Sequence, residues 1–434
     1  MDMQLNTPRL CGAVRAPSSK SEAHRHLIVA ALSGLYGAGD AQRRVRCTDL
    51  NEDIEATVRC LRALGAVIDR AGEDFLVTPI REVPATATLD CGESGSTMRF
   101  LLPVVCALGH LAPAGYEVAM VGHGRLPERP LSPLYEELVA HGAILSPQGS
   151  RPLTVSGTLT PGAFTIDGGV SSQFVSGLIF ALPLLAGGSR ITVTGRVESA
   201  PYIGMTLDAM AEVSGAISGD LPCLTVTGRG AVGQTDDVAH ARSVGGDWSG
   251  AAFFLAAGVL GGEGTAIRLE GLDPASRQGD RAMVDILRRM GGRIDYEGQA
   301  YVAYPSNLYG CVIDAKQVPD LVPILAVAAS VANGETRIEG AARLRIKESD
   351  RLKTVHDMLT SLGADVTETE DGLIVRGVGT LKGGTVDAAG DHRIAMSAAI
   401  AATRADGPVI ITGAEAVAKS YPAFWDDLRR LTIK

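Results

Sequence analysis

The chain has 434 residues, 46% of them hydrophobic and 21% charged, which fits two or three soluble globular domains with sizeable cores. Its formal net charge of −9 argues against a general affinity for nucleic acid or acidic membranes. No apolar run reaches the roughly 18–20 uninterrupted residues of a membrane span.

In chain order, Thr7 to Ala16 reads as a first strand. Pro17-Ser18-Ser19-Lys20-Ser21 follows and leads into an apolar helix through Leu32, with Arg25 early in it. Cations at a helix N-terminus oppose its dipole by roughly 0.3–1 kcal/mol each, which is tolerable where an anion sits between them. Asp90 to Arg99 is a Gly/Ser-rich turn opening a second apolar helix, Phe100 to Leu108. It lacks the Lys-Ser/Thr ending of a P-loop, yet its backbone N–H groups allow close approach of an anion. Gly122 to Pro130 places Arg125 and Arg129 in a turn after a strand, and arginine grips carboxylate or phosphate with paired bonds. Ser171-Ser172-Gln173-Phe174 opens a third apolar run to Leu185, and Glu198-Ser199-Ala200-Pro201-Tyr202 is the matching post-strand loop. Asp247-Trp248-Ser249, Asp320 and Asp391-His392-Arg393 open three more. Arg345 to Arg351 is the densest charge cluster; on a helix, Lys347 and Glu348 would share a face with Arg351. Lys419 and a last helix, Phe424 to Leu431, complete the pass. Each stretch alone reads most simply as a helix cap or a solvated charged face.

Their spacing changes that reading. The starts fall at residues 19, 94, 171, 247, 320 and 391, a near-constant period of 71 to 77 residues. Strand patterns ending at Gly122, Gly195, Gly271, Gly340 and Gly413 share the register, though the first repeat lacks a clear copy. So do amphipathic helices closing on Gly65, Gly142, Gly215, Gly291 and Gly363. Six units grouped three and three give two similar α/β domains. Residues 1–18 with 245–434 would form one and 19–244 the other, with hinges near 17–20 and 241–246. Cations recur at the same end of successive units in an acidic chain, which points to a small anionic ligand. The seven cysteines form no CxxC pair and no cluster with histidine, so reduced thiols and no metal site are expected. The N-terminal Met1-Asp2-Met3-Gln4 shows no secretory pattern, and a cytoplasmic location is expected.

These motifs resemble the enolpyruvyl transferases nearly end to end, and most closely the branch that acts on shikimate 3-phosphate. The resemblance rests on Pro17 to Ser21 with Arg25, Gly95 to Arg99, Arg125 with Glu128-Arg129-Pro130, and Ser171-Ser172-Gln173. It continues through Ser199 with Pro201-Tyr202, Pro319-Asp320, Lys347 to Arg351, Asp391-His392-Arg393 and Lys419. It implies two domains of three βαβαββ units each, an inside-out α/β barrel whose helix N-termini face an interdomain cleft holding the active site. It implies that Ser21 and Arg25 hold the shikimate carboxylate, and that Ser171, Ser172, Ser199 and Lys347 take the 3-phosphate. Gln173 and Tyr202 would line this substrate, with Lys20 and Asp320 also in contact. Lys20, Gly95, Arg125, Gln173, Arg351, Arg393 and Lys419 would cradle phosphoenolpyruvate. Asp320, Glu348 and Lys20 would move protons. No cofactor, metal, nucleic acid or membrane is implied; a monomer acting on two small molecules is expected.

Two positions depart from the common pattern. Glu93 or Gly92 stands where many members carry Asn before the Gly95 turn, and Arg343 stands where an Asn contacting the shikimate substrate is common. Sensitivity to glyphosate, which occupies the phosphoenolpyruvate site in this family, is therefore left open by Glu93. A sister branch acting on UDP-N-acetylglucosamine usually has a reactive cysteine in the mobile loop, here the cysteine-free His123 to Arg129, and a Lys-Asn pair where this chain has Lys20-Ser21. A silent repeat scaffold would explain the period but not the clustered cations.

Overall fold

In the computed structural model, which describes residues 1–211, 213–229 and 241–433, the six apolar runs are helices. They are Lys20–Leu32, Gly95–Leu108, Ser172–Ala181, Trp248–Leu260, Val322–Ser330 and His392–Ala401. Four start on a side-chain cap. Ser94 Oγ accepts from Thr97 N at 3.3 Å, Ser171 Oγ from Gln173 N at 3.3 Å, Asp247 Oδ2 from Gly250 N at 3.1 Å, and Asp391 Oδ1 from Arg393 N at 3.0 Å. Such caps stabilise a helix by about 1 kcal/mol. Val322–Ser330 follows the 3-10 turn Pro319–Leu321 instead. Beyond their first two turns these helices are largely apolar because they lie inside the cores, and every residue of Trp248–Leu260 is buried.

The fold is α/β with mixed sheets, and the chain divides into two compact units, Lys20–Val244 and Met1–Ser19 with Gly245–Lys434. In Lys20–Val244 there are three four-stranded sheets of one design. Thr86–Asp90 runs parallel to Glu117–Val121, which pairs antiparallel with Leu153–Gly157, which pairs antiparallel with Ala143–Leu145. Ala163–Asp167, Ser189–Thr194, Cys223–Val226 and Ile217–Asp220 repeat this order, as do Ala241–Ser243, Arg43–Arg46, Asp74–Thr78 and Val67–Ala71. A parallel pair needs a crossover: Gly95–Leu108 supplies it between Thr86–Asp90 and Glu117–Val121, and Ser172–Ala181 between Ala163–Asp167 and Ser189–Thr194.

The other unit follows the same rule. Gly12–Arg15 is parallel to Ile267–Glu270, followed by antiparallel Ala300–Tyr304 and Arg293–Glu297. Val312–Asp314, Glu335–Glu339, Leu373–Arg376 and Asp365–Glu368 form the second sheet. The third has three strands, Gly384–Asp387, Val409–Thr412 and the N-terminal Met3–Leu5. The first and fourth repeats exchange their leading strands. Gly12–Arg15 precedes the Lys20 helix yet pairs with Ile267–Glu270, while Ala241–Ser243 precedes the Trp248 helix yet pairs with Arg43–Arg46. Each unit has its own apolar core.

Two expectations change. The stretch Thr7 to Ala16 is not one strand: Gly12 turns to φ +127°, so Arg9–Leu10 pairs with Thr432–Ile433 while Gly12–Arg15 joins a different sheet. Arg345 to Arg351 is not one helix: a 3-10 turn ends at Ile346, Lys347 is extended, and Asp350 caps a new helix beginning at Arg351. The glycines after the strands fare better. Gly195, Gly271, Gly340 and Gly413 have φ between +67° and +80°, the left-handed turn that aims each post-strand loop.

Candidate active site

Most candidate residues sit at or just after helix starts, where free N–H groups and the dipole favour anions. In the unit Lys20–Val244, Lys20 begins its helix and pairs through Nζ with Asp53 Oδ2 at 2.8 Å. Arg25, just over one turn on, is buried. Its Nη1 donates to Ser21 O at 2.6 Å, its Nη2 to Tyr202 O at 2.8 Å and its Nε to Thr206 Oγ1 at 2.8 Å. All three acceptors are neutral, and burial pulls the guanidinium down to about 10. Glu22 adds some negative charge nearby, but burial outweighs it, and a desolvated cation whose hydrogen bonds go to neutral oxygens gains strongly from an incoming carboxylate.

Ser199 is buried with φ +55°, a left-handed conformation costly for a residue with a side chain and therefore worth a functional explanation. Tyr202 N donates to Ser199 O at 3.1 Å, which joins this turn to the residue that holds Arg25. Gln173 links two further helix starts: its Oε1 accepts from Arg99 Nη1 at 3.1 Å and its Nε2 donates to Ser96 Oγ at 2.9 Å. Ser171 caps that helix and Ser172 is its first residue. At Gly95 a Cβ would stand 2.8 Å from Arg129 Nη1, so the missing side chain lets a buried guanidinium lie on the first residue of the helix. Arg125 is exposed, just before the 3-10 turn Leu126–Glu128. Glu93 is also exposed and faces the same loop, because a Cβ on Gly124 would lie 2.8 Å from its carboxyl carbon.

In the other unit the cluster is ionic. Asp320, in the turn Pro319–Leu321, pairs with Arg351 Nη1 at 2.7 Å, Arg393 Nη2 at 3.3 Å and Lys347 Nζ at 3.7 Å. Arg351, 1% exposed, also donates from Nη2 to Glu348 Oε2 at 2.8 Å and from Nε to Asp391 Oδ2 at 2.7 Å. Ser349 Oγ completes the Asp391 carboxylate at 2.9 Å. Lys419 donates to Gly390 O at 2.8 Å, next to Asp391. Arg343 donates to Lys316 O at 3.1 Å.

Burial alone would raise the Asp320 carboxyl, but Arg393, Lys347 and Arg351 outweigh it and hold it well below the usual carboxylate range. Burial draws the Lys347 ammonium down to about 8 against the pull of Asp320. Arg351 is raised above its ordinary value: burial opposes its charge, but Asp391, Glu348 and Asp320 together prevail. An ionised carboxylate among three cations can accept a proton from a hydroxyl, and the same cations can neutralise a phosphate.

The model of the family described as EPSP synthase (3-phosphoshikimate 1-carboxyvinyltransferase) matches residues 6–428. The chain belongs to the EPSP synthase family. Within that family, a 3-phosphoshikimate 1-carboxyvinyltransferase of Clostridium kluyveri is 40% identical over 432 residues, covering 99% of this chain and 97% of the relative. One from Clostridium acetobutylicum is also 40% identical, over 439 residues, with the same coverage. A solved EPSP synthase from Acinetobacter baumannii superposes with a TM-score of 0.75 at 25% identity, covering 100% of this chain and 99% of that one. The enolpyruvyl transferase NikO from Streptomyces tendae shares the fold, with a TM-score of 0.73 at 20% identity over 99% of this chain and 96% of its own.

Within one unit of this EPSP synthase family member, Ser21, Arg25 and Tyr202 meet through Arg25, and Ser171, Ser172 and Gln173 share one helix start. Within the other, Asp320, Lys347, Glu348, Arg351 and Arg393 form one ionic group. Asp53, Thr206, Arg99 and Asp391 are not among the candidates, yet each holds one: Lys20, Arg25, Gln173 and Arg351 in turn. Asp391 carried a signal, since Asp before a helix start is a common cap. Thr206 lies 181 positions from Arg25, and nothing local marks it. Among the described residues no group of three or more His, Cys, Asp or Glu could hold a metal ion, and no helix is long and apolar enough to cross a membrane.

Proposed function

We propose that the protein transfers the enolpyruvyl group of phosphoenolpyruvate to the 5-hydroxyl of shikimate 3-phosphate and releases inorganic phosphate, acting as a cytoplasmic monomer. The observation that carries this is the Asp320 carboxylate, kept ionised by Lys347, Arg351 and Arg393. Membership of the EPSP synthase family supports it, as do the names of the Clostridium relatives, which favour shikimate 3-phosphate over UDP-N-acetylglucosamine as the acceptor.

The chemistry balances without a cofactor. The 5-hydroxyl oxygen bonds to C2 of phosphoenolpyruvate, its proton leaves to a base, and C3 gains a proton from an acid. The resulting tetrahedral intermediate then loses a C3 proton and expels phosphate, restoring the double bond. Asp320 is the base for the hydroxyl; Lys20 and Glu348 exchange the C3 proton. Arg25 with Ser21 holds the ring carboxylate, and Ser171, Ser172, Ser199 and Lys347 hold the 3-phosphate, with Gln173 and Tyr202 beside them. Lys20, Gly95, Arg125, Gln173, Arg351, Arg393 and Lys419 receive phosphoenolpyruvate. Fixing two multiply charged anions against each other removes much of the entropic barrier.

A phosphate-release assay tests the proposal. Release should require both substrates together and fall by about 10²-fold or more in Asp320→Asn. Release from phosphoenolpyruvate alone, or full turnover by Asp320→Asn, would defeat it.

A further inference from the structure

Asp280 is a buried carboxyl that the reaction as assigned does not use. It lies in the 3-10 turn Gly279–Ala282 and is 1% exposed. Its Oδ2 accepts from Ser249 Oγ, in the first turn of Trp248–Leu260. Its Oδ1 is buried with no hydrogen-bond partner among the described residues. The side chain cannot swing out easily, because Gln278 pins the turn: its Oε1 accepts from Trp248 N at 3.0 Å and its Nε2 donates to Gly246 O at 2.9 Å. An unpaired buried carboxylate oxygen is unfavourable and calls for an explanation.

The charges around it supply one. The turns carrying Asp280 and Asp320 pack on the same helix, Trp248–Leu260. Burial first, then the charges of Asp320 and the cap Asp247, disfavour ionisation of Asp280; Arg393 and the Ser249 hydrogen bond favour it. The balance raises the Asp280 carboxyl to about 6. Arg393 is also a direct partner of Asp320, through Nη2 at 3.3 Å and the backbone oxygen at 3.1 Å. Asp280 and Asp320 therefore share a countercharge, and interaction between two titrating groups is reciprocal. If the Asp320 charge resists ionisation of Asp280, the Asp280 charge equally strengthens the hold of Asp320 on a proton.

We propose that Asp280 is a positioning residue for charge: ionised, it makes Asp320 a better base for the substrate hydroxyl, and protonated, it leaves Asp320 a poor one. This rests on the assignment of Asp320 as that base. Three cations keep Asp320 ionised but weaken it as a proton acceptor, and a second negative charge restores part of that strength.

The test uses Asp280→Asn and Ser249→Ala in the full chain. The ratio of kcat/KM for shikimate 3-phosphate in wild type to that in Asp280→Asn, in which the titration of the substrate phosphates near pH 6 cancels, should step up by on the order of threefold as pH rises through about 6. Asp280→Asn keeps the shape but not the charge, so it serves as the reference that lacks the Asp280 titration. Ser249→Ala removes a bond that favours the ionised form, so its step should move to higher pH. Thermal unfolding gives a readout independent of turnover. A folded-state value of about 6 against 3.8 for an ordinary aspartate means the folded wild type holds an extra proton in that window. Its stability therefore falls as pH rises through the window, and Asp280→Asn should gain on it there. A wild-type to Asp280→Asn ratio flat through pH 6, a step unmoved in Ser249→Ala relative to Asp280→Asn, or a stability difference flat in pH would overturn the proposal. A wild type that never turns over shikimate 3-phosphate would overturn the functional reading and the Asp320 role with it, while the unfolding series would still decide whether Asp280 titrates.

Discussion

Replacing Arg351 by Met should unfold the ionic cluster from its centre. Four charge-assisted bonds leave this one guanidinium: two to Asp391 at 2.7 and 3.2 Å, one to Asp320 at 2.7 Å and one to Glu348 at 2.8 Å. Asp320 keeps Lys347 and Arg393 after the change. Asp391 suffers most, because its side chain is fully buried and, among the described residues, it is left with hydrogen bonds from Ser349 Oγ and the Arg393 backbone N–H and with His392 Nδ1 at 3.9 Å. Stranding a buried charge in this way is destabilising by about 3–5 kcal/mol. In a unit of roughly 200 residues that lowers Tm by about 6–20 °C, at about 2–4 °C per kcal/mol. Arg351→Lys keeps the charge but cannot span three carboxylates, so it should fall between Met and wild type. The pH dependence sharpens the test. Burial would raise the Asp391 carboxyl, but Arg351 and His392 hold it below its ordinary value. In wild type this contribution is present above about pH 4 and is lost as pH falls. Without Arg351 burial dominates, the folded-state value moves above the unfolded one, and the deficit grows as pH rises. The Arg351→Met deficit, read by calorimetry or urea unfolding, should thus be larger near pH 7.5 than near pH 4.5. A deficit under about 1 kcal/mol at both pH values, or one that shrinks toward neutral pH, would refute this reasoning.

Lys347 titrates near 8 in the free protein, so KM for shikimate 3-phosphate should rise above about pH 8 as the ammonium is lost; Lys347→Gln should show a raised KM that no longer depends on pH there. Arg25→Ala should raise KM for shikimate 3-phosphate by about 10²-fold, the worth of a charge-assisted pair, with KM for phosphoenolpyruvate little changed; isothermal titration with an unchanged affinity would rule this out. Gly95→Ala should fold with nearly the wild-type Tm, because the added Cβ meets only the movable end of Arg129, yet should raise KM for phosphoenolpyruvate. An unaltered KM would separate Gly95 from that substrate.

Helix starts and their period were legible because each apolar helix must be capped, and Ser94, Ser171, Asp247 and Asp391 do that with side chains of the expected kind. Post-strand glycines were legible because the left-handed turn excludes most other residues. The exchange of Gly12–Arg15 and Ala241–Ser243 was not, since strand pairing across more than 190 positions leaves no local trace. Charges at i and i+4 make Lys347 to Arg351 look like a helix face, whereas the Ser349-Asp350 pair is the local signal of the cap that starts the helix at Arg351. That break matters for the site, because it is the extended Lys347 that reaches Asp320 alongside Arg351. The neutral setting of Arg25 was equally hidden, as Tyr202 and Thr206 come from a distant helix.

The addition–elimination account is tested most directly by running the reaction in deuterium oxide and reading the product by proton and deuterium NMR. A methyl group formed transiently at C3 takes up solvent deuterium, so the enolpyruvyl ether of shikimate 3-phosphate should carry vinyl deuterium and appear in equal amount with phosphate. An ether whose vinyl carbon retains only its original protons, or transfer to UDP-N-acetylglucosamine in place of shikimate 3-phosphate, would contradict the account.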